Sequence, residues 1–66
     1  MDERIYDVTG MSCAHCARAV EQEVARLPGV ARATADVAAG TLAVRGERLD
    51  DAAVRAAVDE AGYAVA

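Results

Sequence analysis

The sequence predicts an α+β fold of βαββαβ order, with two helices on one face of a four-stranded antiparallel sheet. Apolar residues alternate in short segments, as in half-buried strands, and recur at helical spacing in two longer segments. Glycine or proline separates most of these segments. The chain has 66 residues, so we expect one small domain spanning residues 1–66.

The first half of the chain is predicted to form a strand, a loop and a helix. From Arg4 to Thr9 the residues alternate, with Tyr6 and Val8 on one face, and Gly10 then opens a loop. From about Ala14 the apolar residues follow helical spacing, at Cys16, Ala19, Val20, Val24 and Leu27. The run Leu27-Pro28-Gly29 ends this helix, because proline disfavours helical conformation in the residue before it.

Two strands joined by a short hairpin are predicted next. The first runs from Val30 to Val37, with Ala33, Ala35 and Val37 inward; the second runs from Thr41 to Arg45, with Leu42 and Val44 inward. The hairpin connection is Ala38-Ala39-Gly40, and Gly46 ends the second strand.

A second helix and a short strand complete the pattern. Asp50 is a good N-cap and Gly62 is placed at C′. The apolar stripe of this helix is Val54, Ala57, Val58 and Ala61, and the last strand is Tyr63 to Ala66. This order is the split βαβ arrangement of ferredoxin-like folds.

Composition indicates a thin core. The chain is 55% hydrophobic, but alanine supplies about half of that fraction. The remaining core candidates are nine valines, three leucines, Ile5, Met11 and Tyr6. A core of this size leaves no room for a large substrate cleft, and it favours a binding module over an enzyme.

Charge and hydropathy exclude other classes. The net charge of −4, without a basic stripe or stacking aromatic residues, argues against nucleic-acid binding. No segment approaches the roughly 18 apolar residues of a membrane span, so we expect no membrane insertion. The N-terminus lacks an apolar signal core, and we therefore expect the cytosol, where thiols stay reduced.

The run Gly10-Met11-Ser12-Cys13-Ala14-His15-Cys16 holds both cysteines of the chain at the start of the first helix. Helix N–H groups and the helix dipole favour thiolates there. Two soft thiolates select Cu(I) first, then Zn(II) or another thiophilic ion. They cannot complete the four-coordinate shell of structural zinc. A dithiol–disulfide couple is the other use of this spacing.

This run resembles the G-M-x-C-x-x-C signature of the heavy-metal-associated domain family, and the resemblance extends over the whole chain. The other matching runs are Leu27-Pro28-Gly29-Val30, Ala39-Gly40 and Ala61-Gly62-Tyr63. The closest resemblance is to small bacterial copper chaperones and to the N-terminal modules of copper-transporting P-type ATPases. It implies the βαββαβ fold, Cu(I) bound by Cys13 and Cys16, and transfer of the ion to a partner domain.

Four further residues are candidates for site support. Met11 could ligate copper, but the family resemblance implies a hydrophobic tether beneath the loop. Ser12 stands where zinc-handling relatives often carry an acidic residue. His15 is either a third ligand or an exposed spacer. Tyr63 is either a core aromatic or, as the resemblance to copper chaperones implies, a neighbour of the metal.

The sequence is therefore interpreted as a cytosolic Cu(I) chaperone without catalytic turnover. Its expected partner is a copper-transporting P-type ATPase or the metal-binding domain of one. A two-coordinate ion can also accept a thiolate from a second chain, which predicts a copper-bridged homodimer. The alternatives are a mercury or zinc carrier of the same fold, and a small thiol–disulfide oxidoreductase.

Overall fold

A computed structural model describes residues 1–66 and has the predicted element order. The elements are β1 (Asp2–Thr9), α1 (Ala14–Ala25), β2 (Val30–Asp36), β3 (Thr41–Gly46), α2 (Asp51–Glu60) and β4 (Ala64–Val65). The strands form one antiparallel sheet in the order β2-β3-β1-β4. The predicted ferredoxin-like α+β fold is confirmed. Neither helix is long and apolar enough to cross a membrane.

The core lies between the sheet and the two helices. Strands β1 and β3 alternate, so that every second side chain points inward. The inward side chains meet one buried stripe from each helix, and the fully buried set is Val20, Val24, Leu42, Val44, Val54 and Val58. Six side chains of Val and Leu size are a modest core even for a chain this short.

Polar contacts fasten the helices to the sheet. Tyr6 Oη and Arg4 Nη1 both donate to Asp51 Oδ1, at 2.7 Å and 2.6 Å, and so tie β1 to the start of α2. Glu21 Oε2 accepts from the backbone N–H of Ala35 at 2.7 Å, which joins α1 to the edge strand β2. Asp51 therefore links the start of α2 to β1 through two side-chain hydrogen bonds.

At the end opposite the cysteines, two turns meet backbone to backbone. A Cβ at Gly46 would overlap the carbonyl oxygen of Gly29, and one at Gly29 would overlap the carbonyl oxygen of Glu47. The N–H of Glu47 donates to Gly29 O at 2.9 Å. The register of β2 against β3 shifts here, between Val30 and Arg32. Only glycine allows this close approach.

The structure corrects one predicted core residue. Ile5 is 63% exposed, because the alternation that buries Tyr6 and Val8 sends it to the outer face of the sheet. Tyr6 is buried.

Several predicted boundaries also move. Gly46 belongs to β3 instead of ending it, Val37 lies in the hairpin turn, and α1 ends at Ala25. On α1 the buried alanine is Ala17, whereas Ala19 is half-buried.

Candidate metal centre

Gly10 sets the direction of the loop that carries the cysteines. It follows β1 with a φ of +95°, a left-handed conformation that side chains rarely adopt. A Cβ at this position would lie 3.2 Å from Cδ1 of Tyr63. Gly10 therefore lets the chain turn sharply while it passes the Tyr63 ring.

The two cysteines lie on either side of the start of α1. Cys13 is the N-cap residue in an extended conformation, and its side chain caps no backbone N–H. Cys16 is in the first turn. Their sulfurs are 3.3 Å apart, and both thiols are free, with Cys13 exposed and Cys16 half-buried. The start of the helix therefore brings both sulfurs to one accessible point.

The surroundings of Cys16 favour its thiolate. The pKa of the Cys16 thiol falls from 9.0 to about 6, first because the Tyr63 hydroxyl stabilises the thiolate, then because of the Ser12 backbone and Cys13. Ser12 Oγ lies 3.9 Å from Cys16 Sγ. The nearby Cys16 sulfur in turn raises the pKa of Tyr63, since a neutral hydroxyl beside a thiolate is favoured over a phenolate.

Ser12 Oγ and Cys13 Sγ lie 3.9 Å and 3.3 Å from Cys16 Sγ, whereas the Tyr63 hydroxyl forms no direct hydrogen bond with this sulfur. Tyr63 therefore borders the site, and its influence on Cys16 does not depend on a direct hydrogen bond. The Tyr63 ring is half-buried and packs against the core.

No third protein ligand converges on the two sulfurs. No group of three or more His, Cys, Asp or Glu side chains could hold a metal ion. The site offers two sulfurs, and a soft ion of low coordination number fits that donor set. Metal–sulfur bonds of roughly 2.3 Å would span about 4.6 Å in a linear arrangement, so the sulfurs must separate from 3.3 Å to admit such an ion.

The remaining candidate residues divide into buried and exposed ones. Met11 is half-buried and packs against the core cluster beneath the loop. Ser12 and His15 are exposed. The sequence interpretation did not include the contact of Gly10 with Tyr63 or that of Ser12 with Cys16. The glycines at 10 and 62 were the available signal, since each breaks an element at this same end of the fold.

Comparison with known proteins gives one consistent result. The model of the heavy-metal-associated domain family matches residues 5–64. Copper chaperone CopZ of Bacillus subtilis is 34% identical over 68 residues, which cover 100% of this chain and 99% of CopZ. Copper-transporting ATPase 2 of Rhizobium meliloti is 41% identical over 61 residues, covering 89% of this chain but only 7% of the ATPase. The solved structure of a CopZ metallochaperone has a TM-score of 0.93 and 30% identity, covering 98% of this chain and all of that one.

Proposed function

The chain belongs to the heavy-metal-associated domain family, and from this premise we propose that it is a copper chaperone that binds Cu(I) through Cys13 and Cys16. Relatives named as copper chaperones share its whole length. The observation that carries the proposal is the pair of free sulfurs 3.3 Å apart at the accessible start of α1, where no group of three or more His, Cys, Asp or Glu side chains forms. Residues 1–66 would act as one heavy-metal-associated domain.

The donor set supports Cu(I) over the other ions. Two thiolates satisfy a low-coordinate soft ion, whereas Zn(II) requires two further ligands that this chain does not bring to the site. Hg(II) shares the preference for two thiolates, so a mercury carrier is the nearest alternative. Ser12 provides no carboxylate beside Cys13, which removes the hard ligand that a zinc carrier would use.

The low pKa of Cys16 indicates how the site would load. At neutral pH Cys16 is mostly thiolate, because its pKa is about 6. It would accept the incoming ion first, and Cys13 would complete the shell as the second sulfur ligand. The exposed position of Cys13 favours it as the sulfur that a partner reaches.

Transfer would then proceed by ligand exchange without net redox change. A partner thiolate adds to the two-coordinate Cu(I), which gives a three-coordinate shared ion. One of the two cysteines of this chain then leaves and can take up a proton. Only metal–sulfur bonds are exchanged, and we propose that the protein is not an enzyme.

We propose the metal-binding domain of a copper-transporting P-type ATPase as the receiving partner, in the cytoplasm. Family members include such ATPases, in which a region similar to this chain is a small part. A copper-bridged homodimer follows from the same exchange chemistry, when the incoming thiolate belongs to a second copy.

Anaerobic competition binding with Cu(I), Zn(II) and Hg(II) tests the proposal. We expect one Cu(I) per chain, with an affinity far above that for Zn(II), and transfer to the isolated metal-binding domain of a copper ATPase. The Cys13→Ser/Cys16→Ser variant is the control and should do neither. Tighter binding of Zn(II) than of Cu(I) would overturn the copper assignment. So would binding of Hg(II) by a protein that loses Cu(I) to a thiol competitor.

A further inference from the structure

The outer face of the sheet, on the side away from both helices, carries an ordered set of nine side chains in three rows. The register places the rows across β1, β3 and β2. We name them the arginine row (Glu3, Arg45, Arg32), the apolar row (Ile5, Ala43, Thr34) and the aspartate row (Asp7, Thr41, Asp36). The outer two rows are four residues apart along each strand, about 13 Å.

The arginine row has an unusual local charge arrangement. Arg32 lies directly opposite Arg45 on the neighbouring strand, and like charges so placed destabilise a sheet. The ion pairs of the chain involve Arg4 and Arg26, and neither Arg32 nor Arg45 takes part in one. The shift of register between Val30 and Arg32 brings Arg32 into line with Arg45. Neither cation thus forms an ion pair within the chain, and the one acidic residue beside them in the row is Glu3, opposite Arg45.

The other two rows complete the pattern. Ile5, 63% exposed, is one of two large apolar side chains on the surface, and it lies in the central row. Asp7 and Asp36 flank Thr41 in the aspartate row. The face thus carries a positive end, an apolar centre and a negative end.

From this pattern we propose that the outer face of the sheet binds the same face of a second copy of this chain. The two copies are related by a two-fold axis that lies in the interface, runs along the apolar row and is perpendicular to the strands. Rotation about this axis places the arginine row of each copy over the aspartate row of the other. Arg32 then faces Asp36 of the second copy, and Arg45 faces the gap between its two aspartates. The apolar rows meet at the centre, where Ile5 loses its exposure to water.

The same geometry limits the strength of this dimer. The molecule measures 29 × 19 × 19 Å, so the face can bury at most about 550 Å² per copy, below the roughly 800 Å² of stable complexes. Glu3 faces Asp7 of the second copy, and each chain carries a net charge of −4. We therefore expect a weak, reversible dimer.

This dimer differs from a copper-bridged one in the position of the cysteines. The aspartate row lies at the end of the sheet that holds the cysteine loop, because β1 leads from Asp7 to Gly10. The two-fold axis places the two loops at opposite ends, where no ion can bridge them. The sheet dimer requires neither metal nor thiols, and its test is independent of the proposed copper function.

The test uses the Cys13→Ser/Cys16→Ser background without metal. Amide chemical shifts in ¹H–¹⁵N spectra are followed as the protein concentration rises to roughly 2 mM, where a millimolar Kd becomes measurable. Sedimentation equilibrium gives the mass. We expect shifts that grow with concentration and are confined to the three rows. The Arg32→Asp/Arg45→Asp variant should abolish them. No shifts, or shifts that map to another surface, would overturn the proposal.

Glu3→Arg is the sharper variant, since it converts the one unfavourable contact into a favourable one. It should tighten the dimer by about threefold or more, because two symmetry-related exposed ion pairs form. Glu60→Arg, on α2, makes the same change in net charge away from the face and is the matched control. Equal effects of the two variants would mean that net charge, and not the face, governs association.

The last test mixes two variants whose charges on the outer face are complementary. The Arg32→Asp/Arg45→Asp and Asp7→Arg/Asp36→Arg variants should each stay monomeric alone, whereas an equimolar mixture should associate. Since Asp36 Oδ1 also accepts from the hairpin N–H of Ala39 at 3.2 Å, Asp7→Arg/Asp36→Asn is a second basic partner that retains an acceptor there. Failure of both mixtures, with all variants folded, would contradict the proposed geometry.

Discussion

The two helices begin in opposite ways, although each follows a strand and a short loop. At α2, the Asp50 side chain accepts from the N–H groups of Ala52 and Ala53, and the acidic Asp51 lies in the first turn. At α1, Cys13 occupies the N-cap position without capping any N–H, and the first turn holds no acidic residue. The first N–H groups of α2 therefore find an acceptor in the side chain of its own N-cap residue. Those of α1, together with the positive end of the helix dipole, remain available to thiolates.

The difference shows where this small fold gives up stability. A good N-cap contributes about 1 kcal/mol, a sizeable amount for a chain with so thin a core. At α1 the N-cap contribution to stability is absent, and the uncapped N-terminus instead gives the two sulfurs an electropositive environment. A functional site that lowers stability in this way is common among natural proteins.

The largest expected effect comes from removing either sulfur. Cys13→Ser or Cys16→Ser should lower Cu(I) affinity by roughly a thousandfold or more, about 4 kcal/mol, because one thiolate cannot complete the shell. The apo forms of both variants should remain folded, since neither cysteine belongs to the core cluster. Anaerobic competition titration with circular dichroism of the apo proteins measures both quantities. Near-normal affinity in either variant would contradict the two-sulfur site.

The second prediction concerns substitutions at the two N-cap positions, Asp50 and Cys13. Asp50→Ala should lower the free energy of unfolding by about 1 kcal/mol, or roughly 4–8 °C in Tm, and leave Cu(I) affinity unchanged. Asp50→Ser is the control, since serine also caps. Cys13→Asp should instead raise stability while it abolishes copper binding. If Cys13→Asp does not stabilise the apo protein, the start of α1 is not an unused capping position.

The third prediction concerns the influence of Tyr63 on Cys16. The folded-state pKa of Cys16 lies below its ordinary value of 9.0, so the thiolate is stabilised by folding. That stabilisation is complete above pH 9 and is lost as the pH falls through about 6. Tyr63→Phe removes the hydroxyl and should raise the pKa of Cys16, which thiolate absorbance in the ultraviolet measures.

Copper affinity should follow the same change. Protons compete with the ion for Cys16, so Cu(I) affinity should fall below about pH 6 in the native protein and at a higher pH in Tyr63→Phe. Tyr6→Phe, at the other tyrosine, is the matched control and should leave the Cys16 titration unchanged. Identical titration curves for Tyr63→Phe and the native protein would mean that Tyr63 serves only as a core aromatic.

The smallest effect is expected from His15. Its side chain is exposed, and no third ligand joins the two sulfurs. His15→Ala should keep one Cu(I) per chain and change the affinity at neutral pH by less than about threefold, within the range of an exposed charge contact. A larger loss in a competition titration would make His15 part of the copper shell.

Most of the fold follows from local sequence signals. Asp50 and Gly62 delimit α2 where capping preference places them, and Gly62 has the expected left-handed φ of +94°. The Cys-x-x-Cys spacing places both sulfurs at the start of α1 as predicted. Each of these features depends on residues that are close together in the chain.

The features that sequence reasoning missed depend on distant residues. Ile5 is as apolar as any core residue; alternation places it opposite Tyr6 and Val8, but only the packing of the whole fold decides which face of β1 the helices cover. Gly46 continues β3 because its lack of a side chain admits Gly29, 17 positions earlier. The pKa of Cys16 depends on Tyr63, which reaches the site only once the whole fold has formed.

X-ray absorption at the copper edge of the Cu(I)-loaded monomer tests the central claim most directly. It reports the number and type of atoms bound to copper. The two free sulfurs of Cys13 and Cys16, without a third converging side chain, predict a shell of two sulfur atoms and no nitrogen. A shell that contains an imidazole nitrogen, or four ligands in monomeric protein, would contradict the account.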